Sequence, residues 1–587
     1  MHPNEKTSFS SPQGYNQFRY RPLNYADGED FRLLCLYPGE WHEPVRCDLL
    51  HSNIDADIEY EAVSYSWASE EGDDSLSQRI SCAYIGEEQT ADLLVTSNCA
   101  SALRRLRLAS NERMLWIDAI CIDQANTKER NHHVELIAKI YSSASQVLVY
   151  LGEEDLGFAS QSLWLDSERR QSALKRLFSK RWVSRVWVIQ EVALAQKVVM
   201  VTGEATCQMD ASLMCRIRGR ARAYGLQVPG PLAWDPLVSA PTRDLLTLLY
   251  MTRGCRSKDP RDKVYGLLGL VGERLQNLIA IDYSQSVEEV LTRTAAAIII
   301  CQEDLEVLAY ASSSLGSRHA ANKLPTWVPD WTEHRDDNAL HSQFQQPKIG
   351  PWRSLEKLSG SETRAAELTK LDWRAAVHIP SKWPTDNLSS PFVTARAHCL
   401  ATIDGTTKQG NSQRPTWQDA QDFSRGLMAL IGSNIGSRKL DSQAWPARYQ
   451  WLFDPSYARP VSAQQQSPDK LYWTSLQQFC VELDKLGKDK YIFRAGILPA
   501  ITSNDFQEGD TVWAIDGCTI PLILRRAKGL DHEHMDAKGY RIVGNCYLFA
   551  LSHLDCWATS GTGLEQRWDF EPFRHMDPLG TQTIKIY

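Results

Sequence analysis

Residues 114–151 read MLWIDAICIDQANTKERNHHVELIAKIYSSASQVLVYL, and the alternation inside that stretch decides the fold. Residues 114–120 read as a strand. Asn126 then offers a side-chain oxygen to cap a helix, and Glu129 stands three residues on, the spacing of a capping box. Behind it Val134, Ile137, Ala138 and Tyr141 recur at i, i+3, i+4 and i+7 as one apolar stripe, while Lys128, Arg130, Glu135 and Lys139 take the other side. Gln146-Val147-Leu148-Val149-Tyr150-Leu151 follows as a buried strand ended by Gly152. Strand, helix and strand in succession predict a parallel sheet covered on both faces by helices.

Working outward, Ala62-Val63-Ser64-Tyr65-Ser66-Trp67 reads as another strand and residues 97–108 as another helix. The expected fold class of residues 58–195 is therefore α/β. Residues 1–57 read as a polar arm and then a strand pair, 31–36 and 45–50, separated by Pro38-Gly39. Residues 196–335 read as mostly helical, most clearly at 242–251 and 286–301. Residues 336–500 are polar, broken by Gly, Ser, Gln and Pro, and read as a variable, irregular region. In residues 501–587 the pattern becomes β-rich: 511–515 and 520–524 flank an Asp516-Gly517 turn, a hairpin signal, and 540–551 supplies more strand.

A chain of 587 residues exceeds one hydrophobic core, so roughly two to four domains are expected. The net charge of −8 gives no general attraction to nucleic acid or to an anionic membrane. Arg216, Arg218, Arg220 and Arg222 alternate, yet read as a solvated face before a phosphate-binding stripe, so a nucleic-acid partner is not expected. Fourteen scattered cysteines without any C-x-x-C argue against a zinc site and against a disulfide framework, and for reduced thiols in the cytoplasm. His132-His133 and His532-Glu533-His534 lack metal-ligand spacing and read as surface histidines. The polar start lacks the apolar stretch of a signal peptide, and the longest apolar run, 295–301, is too short for a membrane span. P-loop, G-x-G-x-x-G, G-x-S-x-G and H-E-x-x-H motifs are all missing.

Three blocks resemble the fungal heterokaryon-incompatibility (HET) domain. They are Tyr60-Glu61-Ala62-Val63-Ser64-Tyr65-Ser66-Trp67, then Leu115 through Gln124 with the helix to Tyr141, then Arg185-Val186-Trp187-Val188-Ile189-Gln190-Glu191. Downstream, Asp259-Pro260-Arg261-Asp262-Lys263-Val264-Tyr265-Gly266-Leu267-Leu268-Gly269 and Leu324-Pro325-Thr326-Trp327-Val328-Pro329-Asp330-Trp331 resemble the region that follows the domain in large members. Two departures stand out: Ala68 replaces a usual Gly, and Asp123 a frequent Asn. The resemblance implies a signalling role in non-self recognition and cell death after incompatible hyphal fusion, acting by self-association or through other signalling proteins. More distantly the blocks are similar to TIR domains, which implies a TIR/flavodoxin-like parallel sheet. Some TIR domains cleave NAD with a glutamate that maps onto Glu191, so NAD is implied as a substrate.

In open α/β sheets, ligands bind beyond the carboxyl ends of the strands. Trp67, Ser69 and Asp118 stand at or just past such ends, as does the acidic run Glu153-Glu154-Asp155, which reads first as a solvated turn. A helix over 182–195 would set Val183, Trp187, Glu191 and Leu194 on nearly one face, with Glu191 beside an apolar stripe. A carboxylate drawn inward needs a partner or a functional reason. Glu191 is thus the catalytic candidate, with Trp67, Ser69, Asp118 and Trp187 as candidate substrate contacts. The plainer readings stay open: Glu191 paired with Arg181 or Arg185, Asp118 as a loop organiser, and the tryptophans as core.

Overall fold

The computed structural model describes residues 16–25, 29–156, 167–229, 232, 244–311, 323–333, 373–379, 391–403, 491–495, 498–502, 506–518, 520–527, 538–548 and 582–587. The chain divides into two compact units, residues 1–287 and 288–587.

The first unit is built on a nine-stranded sheet. Its strands are β1 (Asp30–Leu36), β2 (Arg46–Asn53), β3 (Glu61–Ser64), β4 (Gln78–Tyr84), β5 (Ala91–Val95), β6 (Arg113–Trp116), β7 (Gln146–Tyr150), β8 (Val198–Thr202) and β9 (Ala205–Gln208). They lie in the order β5-β4-β2-β1-β6-β3-β7-β8-β9. The helices are α1 (Ser97–Leu106), α2 (Asp118–Cys121), α3 (Thr127–Ser143), α4 (Ser167–Ser179), α5 (Val188–Ala193), α6 (Ala211–Ala223), α7 (Leu245–Met251) and α8 (Asp262–Leu268).

The expected parallel sheet is present only in part. β6, β3, β7 and β8 run parallel to one another and β2 runs parallel to β4, but β1 pairs antiparallel with both β2 and β6, β4 with β5, and β8 with β9. Connection length explains the antiparallel pairs that are consecutive in the chain. The links between β1 and β2 and between β8 and β9 are too short for a crossover, which takes a dozen or more residues, so those strands must fold back. Gly203, at φ +54°, makes the second of these turns. The strand pair expected before residue 58 forms in register Leu33↔Leu50 and Leu34↔Leu49 and joins the same sheet.

At the sheet's centre Ala62, Val63, Val147, Leu148 and Val149 are almost fully buried. Each of the larger side chains contributes about 1.5–3 kcal/mol by leaving water. Asn126 caps α3, its side chain accepting from the amides of Lys128 and Glu129. The buried face of α3, however, is Glu129, His133, Leu136 and Ile140 with Tyr141, rotated from the stripe expected at Val134, Ile137 and Ala138. Polar residues occupy the inner face because they have partners there. Glu129 receives Arg32 of β1 through two hydrogen bonds, at 2.5 and 3.1 Å, and accepts the Asp123 amide at 2.6 Å. Arg32 also donates to the carbonyl of Cys121 at 3.0 Å, so this fully buried pair pins the loop after α2. His133 is not on the surface as expected: it is fully buried, its Nδ1 lies 3.0 Å from the Glu129 carbonyl, and burial pushes it down to about 4. The pair His532 and His534 lies outside the described residues.

The second unit opens within the helix α9 (Val287–Gln302), whose first residue closes the first unit. Its strands are β10 (Val377–His378), β11 (Phe392–Thr402), β12 (Tyr491–Ala495), β13 (Leu498–Thr502), β14 (Thr511–Ile515), β15 (Leu522–Arg526), β16 (Lys538–Asn545), β17 (Tyr547–Leu548) and β18 (Gln582–Ile586). The expected hairpin is β14–β15, with Thr511↔Leu524 and Trp513↔Leu522 and Gly517 at φ +82° in the turn. One sheet runs β10-β11-β14-β15-β16-β18, and a further β11–β18 pairing closes it into a barrel. β12, β13 and β17 form a small second sheet. β10, β11 and β12 fall where an irregular region was expected. The reason is visible in β11, where Val393, Ala395 and Ala397 point inward and Thr394 and Arg396 outward. Its inner face is small rather than greasy, which weakens the strand signal.

Among the described residues no helix is long and apolar enough to cross a membrane.

Candidate active site at the carboxyl ends of the parallel strands

β3 and β6 are parallel neighbours, with Glu61↔Leu115 and Ala62↔Trp116, so the segments that follow them emerge at the same end of the sheet. From β3 come Ser64, Tyr65 and Trp67; from β6 comes Asp118, the first residue of α2. The third contributor is the connection from β7 to β8, where a short 3-10 helix (Arg181–Ser184) leads to α5.

One continuous helix over 182–195 was expected, and the chain does not form it. Arg185 is extended, at φ −83° and ψ 136°, and the backbone there bridges to Arg256: the Val186 amide donates to the Arg256 carbonyl and the Arg256 amide to the Ser184 carbonyl. Backbone groups spent on that bridge are lost to a helix. Val183 and Glu191 therefore stand on separate elements.

Glu191 is 4% exposed and lies on α5. Its Oε2 accepts a hydrogen bond from the Ser64 hydroxyl, whose oxygen in turn accepts the Trp182 indole N–H at 2.8 Å. Trp182 is fully buried, so indole, hydroxyl and carboxylate form a chain shielded from water. Among the described residues no ion pair joins Glu191 to Arg181 or Arg185. The Arg185 guanidinium instead donates to the carbonyl of Tyr65. Burial pushes Glu191 up to about 7; the Arg185 charge and the Ser64 hydroxyl pull it down, and the Asp118 charge pushes it further up. Desolvation outweighs the arginine because that cation is beside the carboxylate and not bonded to it.

Trp67 and Asp118 come together directly, the indole Nε1 donating to Oδ2 at 2.8 Å. Asp118 is raised above the usual carboxylate range by burial, against the pull of Arg185 and Trp67, and its Oδ1 is buried with no hydrogen-bond partner. Arg185 thus acts electrostatically on both carboxylates. Gln190, next to Glu191, is fully buried with neither side-chain amide atom partnered.

Two candidates sit apart. Ser69 belongs to a tight turn, its amide donating to the Asp73 carbonyl and its carbonyl accepting from Gly72. Trp187 turns away toward α8, where its ring packs beside Gly266 and approaches Asp262. Two members of the acidic run are paired: Glu153 bonds Arg105 and Tyr150, and Glu154 bonds Lys180 at 2.9 Å and Arg176 at 3.4 Å. The arginine stripe lies on α6, whose buried side carries Leu213, Met214, Ile217 and Ala221. Among the described residues no cluster of His, Cys, Asp and Glu is arranged to hold a metal.

Ser64, Trp182, Arg185 and Gln190 were not anticipated as site residues. Only Ser64 carried a signal, being a polar residue inside an otherwise buried strand.

The three contributing segments all fall inside residues 60–191, which match the family model described as Heterokaryon incompatibility protein (HET). Those residues are therefore similar to a HET domain. A curated relative in Neurospora crassa, heterokaryon incompatibility protein 6, OR allele, is 28% identical over 522 residues, covering 72% of this chain and 71% of its own. No solved structure matches the chain.

Proposed function

We propose that this chain is an effector of fungal incompatibility, with residues 60–191 as the part that acts. The family match and the Neurospora relative support that role. The observation that carries a molecular reading is the buried carboxylate of Glu191, held by Ser64 at the carboxyl end of a parallel strand. A test in cells is to express wild type and Glu191→Ala in a fungal strain that undergoes incompatibility. Death triggered by wild type and lost in the variant supports the reading; equal killing by both removes Glu191 from it.

A second reading, that the domain is a TIR-like NAD glycohydrolase, is favoured by the topology. Counted in chain order, the parallel strands β3, β6, β7 and β8 lie 2-1-3-4, the doubly wound order in which ligands sit where successive connections leave in opposite directions. That point is the end of β3, where Ser64 meets Glu191. Breaking the nicotinamide–ribose bond builds positive charge on the ribose, which a fixed carboxylate stabilises. Arg185 would steady the ionised form, and Trp67 offers an aromatic face. Purified protein, assayed dilute and concentrated so that self-association is sampled, should consume NAD. Intact NAD under both conditions would count against catalysis and leave the effector role standing.

A further inference from the structure

We infer that residues 253–269, which lie beyond the span matched by the family model, position the helix that carries Glu191, with Asp262 as the principal positioning residue. This rests on Glu191 being the acting group, as proposed above. Independent contacts converge on the short stretch 184–190. Arg256 forms the backbone bridge to Ser184 and Val186 that interrupts the expected helix. Lys263 is buried and donates from its ammonium to the carbonyls of Arg253, at 3.0 Å, and Cys255, which fixes the segment that makes the bridge. Asp262, also buried, accepts the Tyr283 hydroxyl at 2.6 Å, and the indole of Trp187, the residue at the head of α5, approaches its carboxylate.

Two glycines of α8 and its end let this close approach happen. A Cβ on Gly266 would meet Val186 at 3.2 Å and Trp187 at 3.5 Å. A Cβ on Gly269 would meet both Ala138 of α3 and the Gln190 side-chain oxygen at 2.7 Å, closer than real atoms stand. α8 therefore presses on α5 from residue 186 to residue 190, one position short of Glu191. α5 itself is a single short helix of six residues, too short to hold its place by its own hydrogen bonds. Its direction must come from what packs on it, and Asp262 grips it at the start.

The test is peptide-level hydrogen–deuterium exchange on the full chain, with wild type, Asp262→Ala, Asp262→Asn and Trp187→Phe. In Asp262→Ala the amides of 184–193 should exchange about tenfold faster while those of β3 and β7 keep their wild-type rates. Asp262→Asn, whose side-chain oxygen still accepts, should restore the wild-type pattern. Trp187→Phe takes the indole N–H away from Asp262 while keeping an aromatic ring and should reproduce the alanine effect, which keeps the test decisive if Asp262→Ala fails to fold. Unchanged exchange in 184–193, or acceleration spread evenly over the sheet, would overturn the inference. NAD turnover separates the two levels: inert wild-type protein defeats the enzymatic reading alone, and the exchange pattern still decides the role of Asp262. If wild type turns over NAD, Asp262→Ala should lower kcat at least tenfold with KM little changed.

Discussion

The indole of Trp67 donates to the carboxylate of Asp118 across 2.8 Å, tying the segment after β3 to the helix after β6. A hydrogen bond to a charged acceptor is worth about 1.5–3 kcal/mol net. The other Asp118 oxygen is buried with no side-chain partner, so the indole is the one side chain bonded to this carboxylate among the described residues. Trp67→Phe keeps an aromatic ring and deletes the donor. It should lower unfolding free energy in denaturant by about 1.5–3 kcal/mol, and an unaltered midpoint would show that the bond is not maintained in solution.

Glu191 sets a pH dependence of stability whose sign is fixed. Its folded pKa of about 7 lies above the ordinary value of 4.5, so the folded state holds that proton more tightly. Its contribution is most favourable below 4.5, is lost as pH rises through about 7, and is constant above. Glu191→Gln removes the cost of ionising in the interior. The variant should match wild type near pH 4 and exceed it at pH 8 by about 1–3 kcal/mol. Denaturation curves that differ equally at the two pH values would contradict this.

If the carboxylate form acts on NAD, turnover should climb as pH passes through about 7 and then level off. Ser64 holds the ionised form down in pKa, so Ser64→Ala should move the rising limb to higher pH. A wild-type profile flat between pH 6 and 8 would remove Glu191 as the titrating group.

Arg32 and Glu129 are both fully buried, and each leaves the other stranded if removed. Arg32→Met should cost about 3–5 kcal/mol, whereas Arg32→Met combined with Glu129→Leu should recover much of that loss. Thermal unfolding of the two variants decides it, and equal destabilisation would mean the ion pair is not what makes Arg32 costly to replace.

Much of this architecture was legible before any coordinates. Val147, Leu148 and Val149 announced a doubly covered strand, Asn126 announced a helix start, and Asp516-Gly517 announced a hairpin, because each signal is local. What escaped depends on partners distant in sequence. Glu129 and His133 face inward only because Arg32 and the loop after α2 meet them, and no helical periodicity reports that. The break at Arg185 is caused by Arg256, which competes for the same backbone groups. The candidate site was half visible: Glu191, Trp67 and Asp118 were recognisable by type and place, whereas Ser69 and Trp187 stood near in sequence and point elsewhere in space.

The closure of the second sheet by Val393↔Ile586 and its neighbours has a kinetic consequence. Strands that lie far apart along the chain must find each other before the ring has no open edge. Loop entropy makes such encounters slow, and topologies rich in distant contacts reach their native state late. Until then β11 and β16 each offer unpaired backbone to any passing strand. This half of the molecule should therefore be the rate-limiting and most aggregation-prone part of refolding, and the part that most needs a chaperone's protection in the cell.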